Sequence, residues 1–166
     1  MGRVIVLGSL NVDLEVHVPA MPSSGEKVMG DRLMRFAGGK GGNQAVAARA
    51  TGADVIMVGS VGDDDAGRQY LNRLAALDVG LEVARQPGTP TGHALILTDP
   101  SGANRIVVIQ AANLHIEYRP LRPLGKLDPA RDLFLTQTEI APDTLSDAVR
   151  YVTERGVRAI INVSPY

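Results

Sequence analysis

The sequence predicts an α/β fold: a mostly parallel β-sheet covered by helices, with a small antiparallel flap beside it. Three observations carry this reading. Short apolar runs that end in glycine or a polar residue recur at Arg3–Gly8, Asp54–Ser60, Leu133–Thr136 and Val157–Asn162, as buried parallel strands do. Helical segments separate them, which is the βαβ alternation. Between Gly92 and Ile109, two strand-like runs flank Asp99-Pro-Ser-Gly102, a hairpin signature.

The elements follow in order. Arg3–Gly8 is the first buried strand. Leu14–Val18 alternates apolar and polar residues and reads as half-exposed, and Pro19–Gly25 turns the chain. Lys27–Phe36 is a second exposed strand. Gln44–Thr51 is a helix whose alanines at 45, 47, 48 and 50 suit close packing on a sheet, with Gly52 at its C-terminal cap. After the strand at 54–60, Ala66–Leu77 is amphipathic, with Tyr70, Leu71, Leu74 and Leu77 on one face. Past Gly80 the parallel character lapses until Leu133. Pro142 opens a helix that runs to about Arg155, and Gly156 closes it. The strand at 157–162 has no covering element after it and reads as an edge, or as a chain ending inside a larger architecture.

Composition narrows the function classes. The 166 residues suffice for one domain with a real core. A net charge of −1, two Phe and no Trp give no case for nucleic acid. With no cysteine, thiolate metal sites are excluded, and His17, His93 and His115 lack ligand spacing, so no metal site is expected. No signal peptide or membrane span is legible. A cytoplasmic protein is the default.

The stretch Ala37–Gly62 is the most informative. Gly38, Gly39, Gly41 and Gly42 surround Lys40 and let a ligand approach the main chain. Asn43 follows at the expected helix start, where backbone N–H groups are unsatisfied. The turn lacks the Gly-Lys-Ser/Thr of a phosphate-binding loop, and Gln44 stands where a dinucleotide fingerprint needs its third glycine. Asn11 and Asp13, two residues apart after the first strand, point the same way if the chain stays extended. Glu139 follows the strand at 133–136. These groups fall where an open α/β sheet binds ligands, and a set of Asn, Asp and Glu suits a polyhydroxylated one. Each also has a structural reading: Asn11 and Asp13 as turn residues, Asn43 as a helix N-cap, Glu139 as a solvated loop charge. Asp63-Asp64-Asp65 sits before a helix and reads as a cap.

These segments resemble the N-terminal half of the ribokinase-like carbohydrate kinases, nearest to their ribokinase members. Gly8-Ser-Leu-Asn-Val-Asp13, Gly38 to Ala48, Val61-Gly-Asp-Asp64, the hairpin Thr91–Ile109 and Gln137-Thr-Glu139 carry the resemblance. Gly38, Gly39, Gly41, Asn43, Ala45, Gly52 and Gly62 fit the family's N-terminal signature.

The resemblance implies a three-layer α/β sandwich with a β lid, the lid formed by segments about 14–36 and 91–110. It implies ATP-dependent phosphoryl transfer to a pentose hydroxyl. Asn11, Asp13, Gly39, Lys40, Asn43 and Glu139 would bind the sugar, ribose or a relative, and the lid would support a homodimer. The whole of 1–166 then corresponds to the N-terminal part of one such domain. The family's Gly-Ala-Gly-Asp segment, which supplies the catalytic base and anion hole, does not occur here, and neither does its Asn-x-x-Glu segment. No catalytic residue is therefore expected in this chain. ATP and Mg are expected for the complete enzyme but not on this chain alone. The alternative reading is a non-catalytic sugar-binding or regulatory module that acts with a partner chain. One departure is local: in Gln110-Ala-Ala-Asn113, Ala111 stands where the family usually has glycine.

Overall fold

The computed structural model describes residues 2–117 and 127–165. In chain order the strands are β1 (Arg3–Leu7), β2 (Asn11–His17), β3 (Arg32–Gly38), β4 (Asp54–Gly62), β5 (Gly80–Gln86), β6 (Gly92–Thr98), β7 (Asn104–Ile109), β8 (Leu133–Gln137) and β9 (Arg158–Asn162). The helices are α1 (Lys40–Ala50), α2 (Asp65–Ala76) and α3 (Pro142–Thr153), with a short 3-10 helix over Ala111–His115.

The central sheet has the order β5-β4-β1-β8-β9, and every pairing in it is parallel. β1 is apolar on both faces because both faces are covered. Val6 packs with Val55, Met57 and Ala45 beside α1 and α2. Ile5 and Leu7 pack with Phe134, Ala148 and Val152 beside α3. Helix, sheet and helix make three layers.

The second sheet has the order β3-β2-β6-β7. Its outer pairings are antiparallel, but the central β2–β6 pair is parallel, so the flap is a mixed sheet. Parallel pairing is forced because β2 leaves the core directly after β1 while β6 arrives after β5, from the same end. Only Gly8, Ser9 and Leu10 separate β1 from β2.

Several boundaries differ from the sequence expectation. β2 begins at Asn11 rather than Leu14, and β3 begins at Arg32 rather than Lys27. β5 has no counterpart in that reading. Its sequence, GLEVARQ, mixes charges with apolar residues because it is an edge strand with much of its length exposed. Helix α1 starts at Lys40, so Asn43 is neither its start nor its cap. Gly39 holds the cap position, and the Asn43 N–H donates to Gly39 O at 3.0 Å. Gly52 and Gly156 follow α1 and α3 as expected, and Pro142 is the first residue of α3.

Ala111 adopts φ 45°, in the left-handed region. An L-residue with a Cβ is strained there by roughly 1–2 kcal/mol. Glycine would remove the strain but would add about 0.4–1 kcal/mol of unfolded-state entropy. Ala111→Gly is therefore expected to stabilise the chain by about 0.5–1 kcal/mol, read as a higher urea midpoint with an unchanged slope. A lower midpoint would show that Ala111 is not strained.

Candidate functional site

The C-terminal ends of β1 and β8 meet the start of α1 at one point. Gly41 makes this possible: a Cβ on it would lie 2.6–2.7 Å from the Gly8 backbone, nearer than packed atoms sit. Gly39 turns the chain into the helix with φ 82°, and a Cβ there would meet the Asn11 amide nitrogen at 2.7 Å. Both positions thus demand glycine for contact as well as conformation.

The first turn of α1 is capped from outside the helix. Glu139, only 6% exposed, accepts from the Lys40 backbone N–H at 3.1 Å and from Ser9 Oγ at 2.5 Å through Oε2. Its Oε1 pairs with Lys40 Nζ at 3.2 Å. The Gly42 N–H donates to Ser9 O at 3.1 Å. With the Gln137 amide assigned so that its oxygen faces the donors, that oxygen accepts from Ser9 N at 3.3 Å and Gly41 N at 3.2 Å. A buried carboxylate at a helix N-terminus is favoured by the dipole and by the orphan amides together. Glu139 is therefore not a solvated loop charge.

Asn11 and Asp13 lie on β2 and share a face, as their spacing predicts. The buried Asn113, from the 3-10 helix, holds Asn11: its Nδ2 donates to Asn11 Oδ1 at 2.7 Å and its Oδ1 accepts from Leu10 N at 2.9 Å. This leaves Asn11 Nδ2 to donate elsewhere. Asp13 Oδ1 is buried and has no hydrogen-bond partner among the described residues. Burial, the carboxylate of Glu139 and, more weakly, Glu15 push the Asp13 carboxyl above its ordinary value, while Lys40 opposes the rise. A buried acceptor without a donor is costly, and any group that donated to Asp13 Oδ1 would remove that cost.

Behind this face, the Tyr70 hydroxyl donates to Gly38 O at 2.5 Å. Burial raises its pKa far above the usual tyrosine value, with the Asp13 charge adding to the effect, so it remains a donor. Asp64 is a structural cap, as the acidic triplet suggests. Its Oδ1 accepts from Gly67 N at 2.7 Å and Thr91 Oγ1 at 2.6 Å, and its Oδ2 accepts from Thr91 N at 2.8 Å. Burial pushes its carboxyl up, but these bonds win and hold it below the ordinary range. Through Thr91, Asp64 anchors the start of β6 beside Asn11.

Asn11, Asp13, Gly39, Lys40, Asn43 and Glu139 all line one cleft of about 150 Å³, roofed by Ala94, Ile96, Ile106 and Val108 of the second sheet. The sequence names all six but misses the residues that set them: Ser9, Tyr70 and Asn113. Ser9 and Asn113 share one sequence signal, a short polar side chain next to an apolar run. Tyr70 reads from sequence as core alone. Among the described residues, no group of three or more His, Asp or Glu could hold a metal ion, and no helix is long and apolar enough to cross a membrane.

A family model described as "pfkB family carbohydrate kinase" matches residues 1–154. The chain belongs to the pfkB family of carbohydrate kinases. A ribokinase from Bacillus subtilis is 36% identical to this pfkB chain over 170 residues, covering 99% of the chain and 56% of the relative. The structure of ribokinase from Giardia lamblia superposes with a TM-score of 0.90 at 29% identity, covering 99% of the chain and 51% of the other. That of Arabidopsis thaliana ribokinase complexed with ribose and ATP gives 0.84 at 28% identity, covering 100% and 55%. The chain thus spans about half the length of the pfkB relatives it matches. The α/β architecture with its second β-sheet is shared with them.

Proposed function

We propose that this chain is the acceptor-binding half of a ribokinase-type sugar kinase, which positions a pentose hydroxyl for phosphoryl transfer from ATP. The observation that carries this reading is the convergence of the six polar and glycine residues on one roofed cleft. Within it, Asp13 Oδ1 lacks a donor and Asn11 Nδ2 is available to give one. In this reading Asp13 accepts from vicinal hydroxyls, Asn11 and Asn43 donate and accept, and Lys40, held by Glu139, closes the polar rim. The apolar strands β6 and β7 exclude water from the bound sugar.

These residues fit a polyol and do not fit a nucleotide. The leading amides of α1 already bond to Glu139, Gln137 and Ser9, and two carboxylates line the cleft beside a single lysine. ATP, Mg and the proton-abstracting base belong, in this proposal, to residues outside this chain. The pure chain is then expected to show no ATP-dependent phosphorylation of ribose.

The proposal extends to a pairing of two copies through the lid. Leu33, Leu95, Val107 and Ile109 are exposed on the lid face opposite Asn11 and Asp13, and a second lid is the apolar partner that matches them.

The deciding experiment is a calorimetric titration of the chain with D-ribose in the absence of nucleotide. Saturable one-to-one binding supports the reading. No heat with ribose, from a chain whose cooperative thermal unfolding shows it folded, would overturn it for this sugar. Phosphate transfer by the chain alone would overturn the division of labour.

A further inference from the structure

A second cleft, of about 210 Å³, opens between the base of the lid and α2. Arg35 reaches it from β3 and Arg73 from the last turn of α2, with Gln69 alongside and Val12 and Tyr70 among its lining. Among the described residues, no carboxylate lines it. Arg49, Arg68 and Arg150 each pair with an aspartate. Arg35 and Arg73 make no ion pair or hydrogen bond with any described residue. Both arginines are exposed and line the same concavity, and an anion held between two cations is attracted by each of them. The planar fork of arginine matches tetrahedral oxyanions in bidentate fashion, and the Gln69 amide adds a donor. The volume is below the roughly 300–1,000 Å³ of drug-sized sites, so the occupant is small.

We propose that this cleft binds a phosphate-class dianion, free or carried on a small monoester, between Arg35 and Arg73. The site lies across β2 from the first cleft. Val12 lines one and Asp13, the next residue, lines the other, while Tyr70 lines the anion cleft and bonds to Gly38 at the edge of the first. An anion seated there rests against the strand that carries Asn11 and Asp13. Anion binding does not depend on the sugar reading and is tested apart from it.

The test is calorimetric titration of the 166-residue chain with inorganic phosphate at constant ionic strength, then with glycerol phosphate. Saturable binding is expected. Arg35→Gln and Arg73→Gln should each weaken it at least fivefold, and the double variant should abolish it. Arg68→Gln, which removes an exposed charge from the same helix, should leave it unchanged. Tighter binding of the monoester would identify the carried phosphoryl group as the occupant, and tighter binding of phosphate the free ion. Both variants change exposed side chains, and matching thermal midpoints check that they fold. Absence of saturable binding, survival of binding in the double variant, or equal loss in Arg68→Gln would overturn the proposal.

Discussion

Asp13→Asn is expected to weaken D-ribose binding about 100-fold while raising the thermal midpoint of the ligand-free chain. Both effects come from one carboxylate. A hydrogen bond to a charged acceptor is worth about 1.5–3 kcal/mol, so two hydroxyls losing that acceptor forfeit around 3 kcal/mol, or two orders of magnitude in affinity. The stability effect has the opposite sign because burial and the nearby Glu139 carboxylate make the ionised form unfavourable. With its folded-state pKa raised above the unfolded value, Asp13 leaves stability intact in acid. That stability is lost as pH rises from the ordinary aspartate value through the raised one. The amide, which never ionises, keeps it at neutral pH. Ribose affinity runs the other way and falls as the carboxyl protonates in acid. Calorimetry across pH 4–7, paired with thermal melts of both proteins, measures the two together. Affinity retained within about threefold in Asp13→Asn would show that the sugar does not use this carboxylate.

Gly41→Ala is expected to give a large stability loss, about 3 kcal/mol or more. The added methyl would lie 2.6–2.7 Å from backbone atoms of Gly8, which cannot rotate away as a side chain can. Overpacking typically costs about 1–3 kcal/mol when side chains can adjust, and here α1 must move as a body. For a chain of this size, 3 kcal/mol lowers the midpoint by roughly 6–12 °C. The displaced helix would also pull Lys40 N from Glu139. An alanine variant that melts within about 2 °C of the parent would mean that the α1–β1 contact is looser than the geometry indicates.

The sequence-level reading and the structure agree where one residue type has one physical solution. Apolar runs too short for helices became central strands, Pro142 opened α3, and Asp99-Pro-Ser-Gly102 turned a hairpin. They part where tertiary contacts outweigh local preference. Gly41 and Gly42 are poor helix formers, so local preference starts the helix near Asn43; instead Gln137 and Ser9 hold the two glycines helical, and Glu139 holds the Lys40 amide ahead of them. β5 was invisible because an exposed edge strand carries no unbroken apolar run. The parallel β2–β6 pair depends on the order in which strands leave the core, which no local pattern states. Asp13 was legible by its place after a strand, but its missing donor was not, since that depends on neighbours far along the chain.

The capping of α1 by Glu139 has a temporal consequence. The acceptor for the Lys40 amide lies 99 residues downstream, and Asn113, which sets Asn11, lies 102 residues beyond it. During synthesis, the glycine turn and β2 leave the ribosome long before either partner exists. Until Glu139 has emerged, Lys40 has neither its counter-ion nor its amide acceptor, and the floor of the cleft cannot close. No shorter nascent chain can therefore carry the site, and ligand can begin to favour the folded state only after residue 139 has joined it.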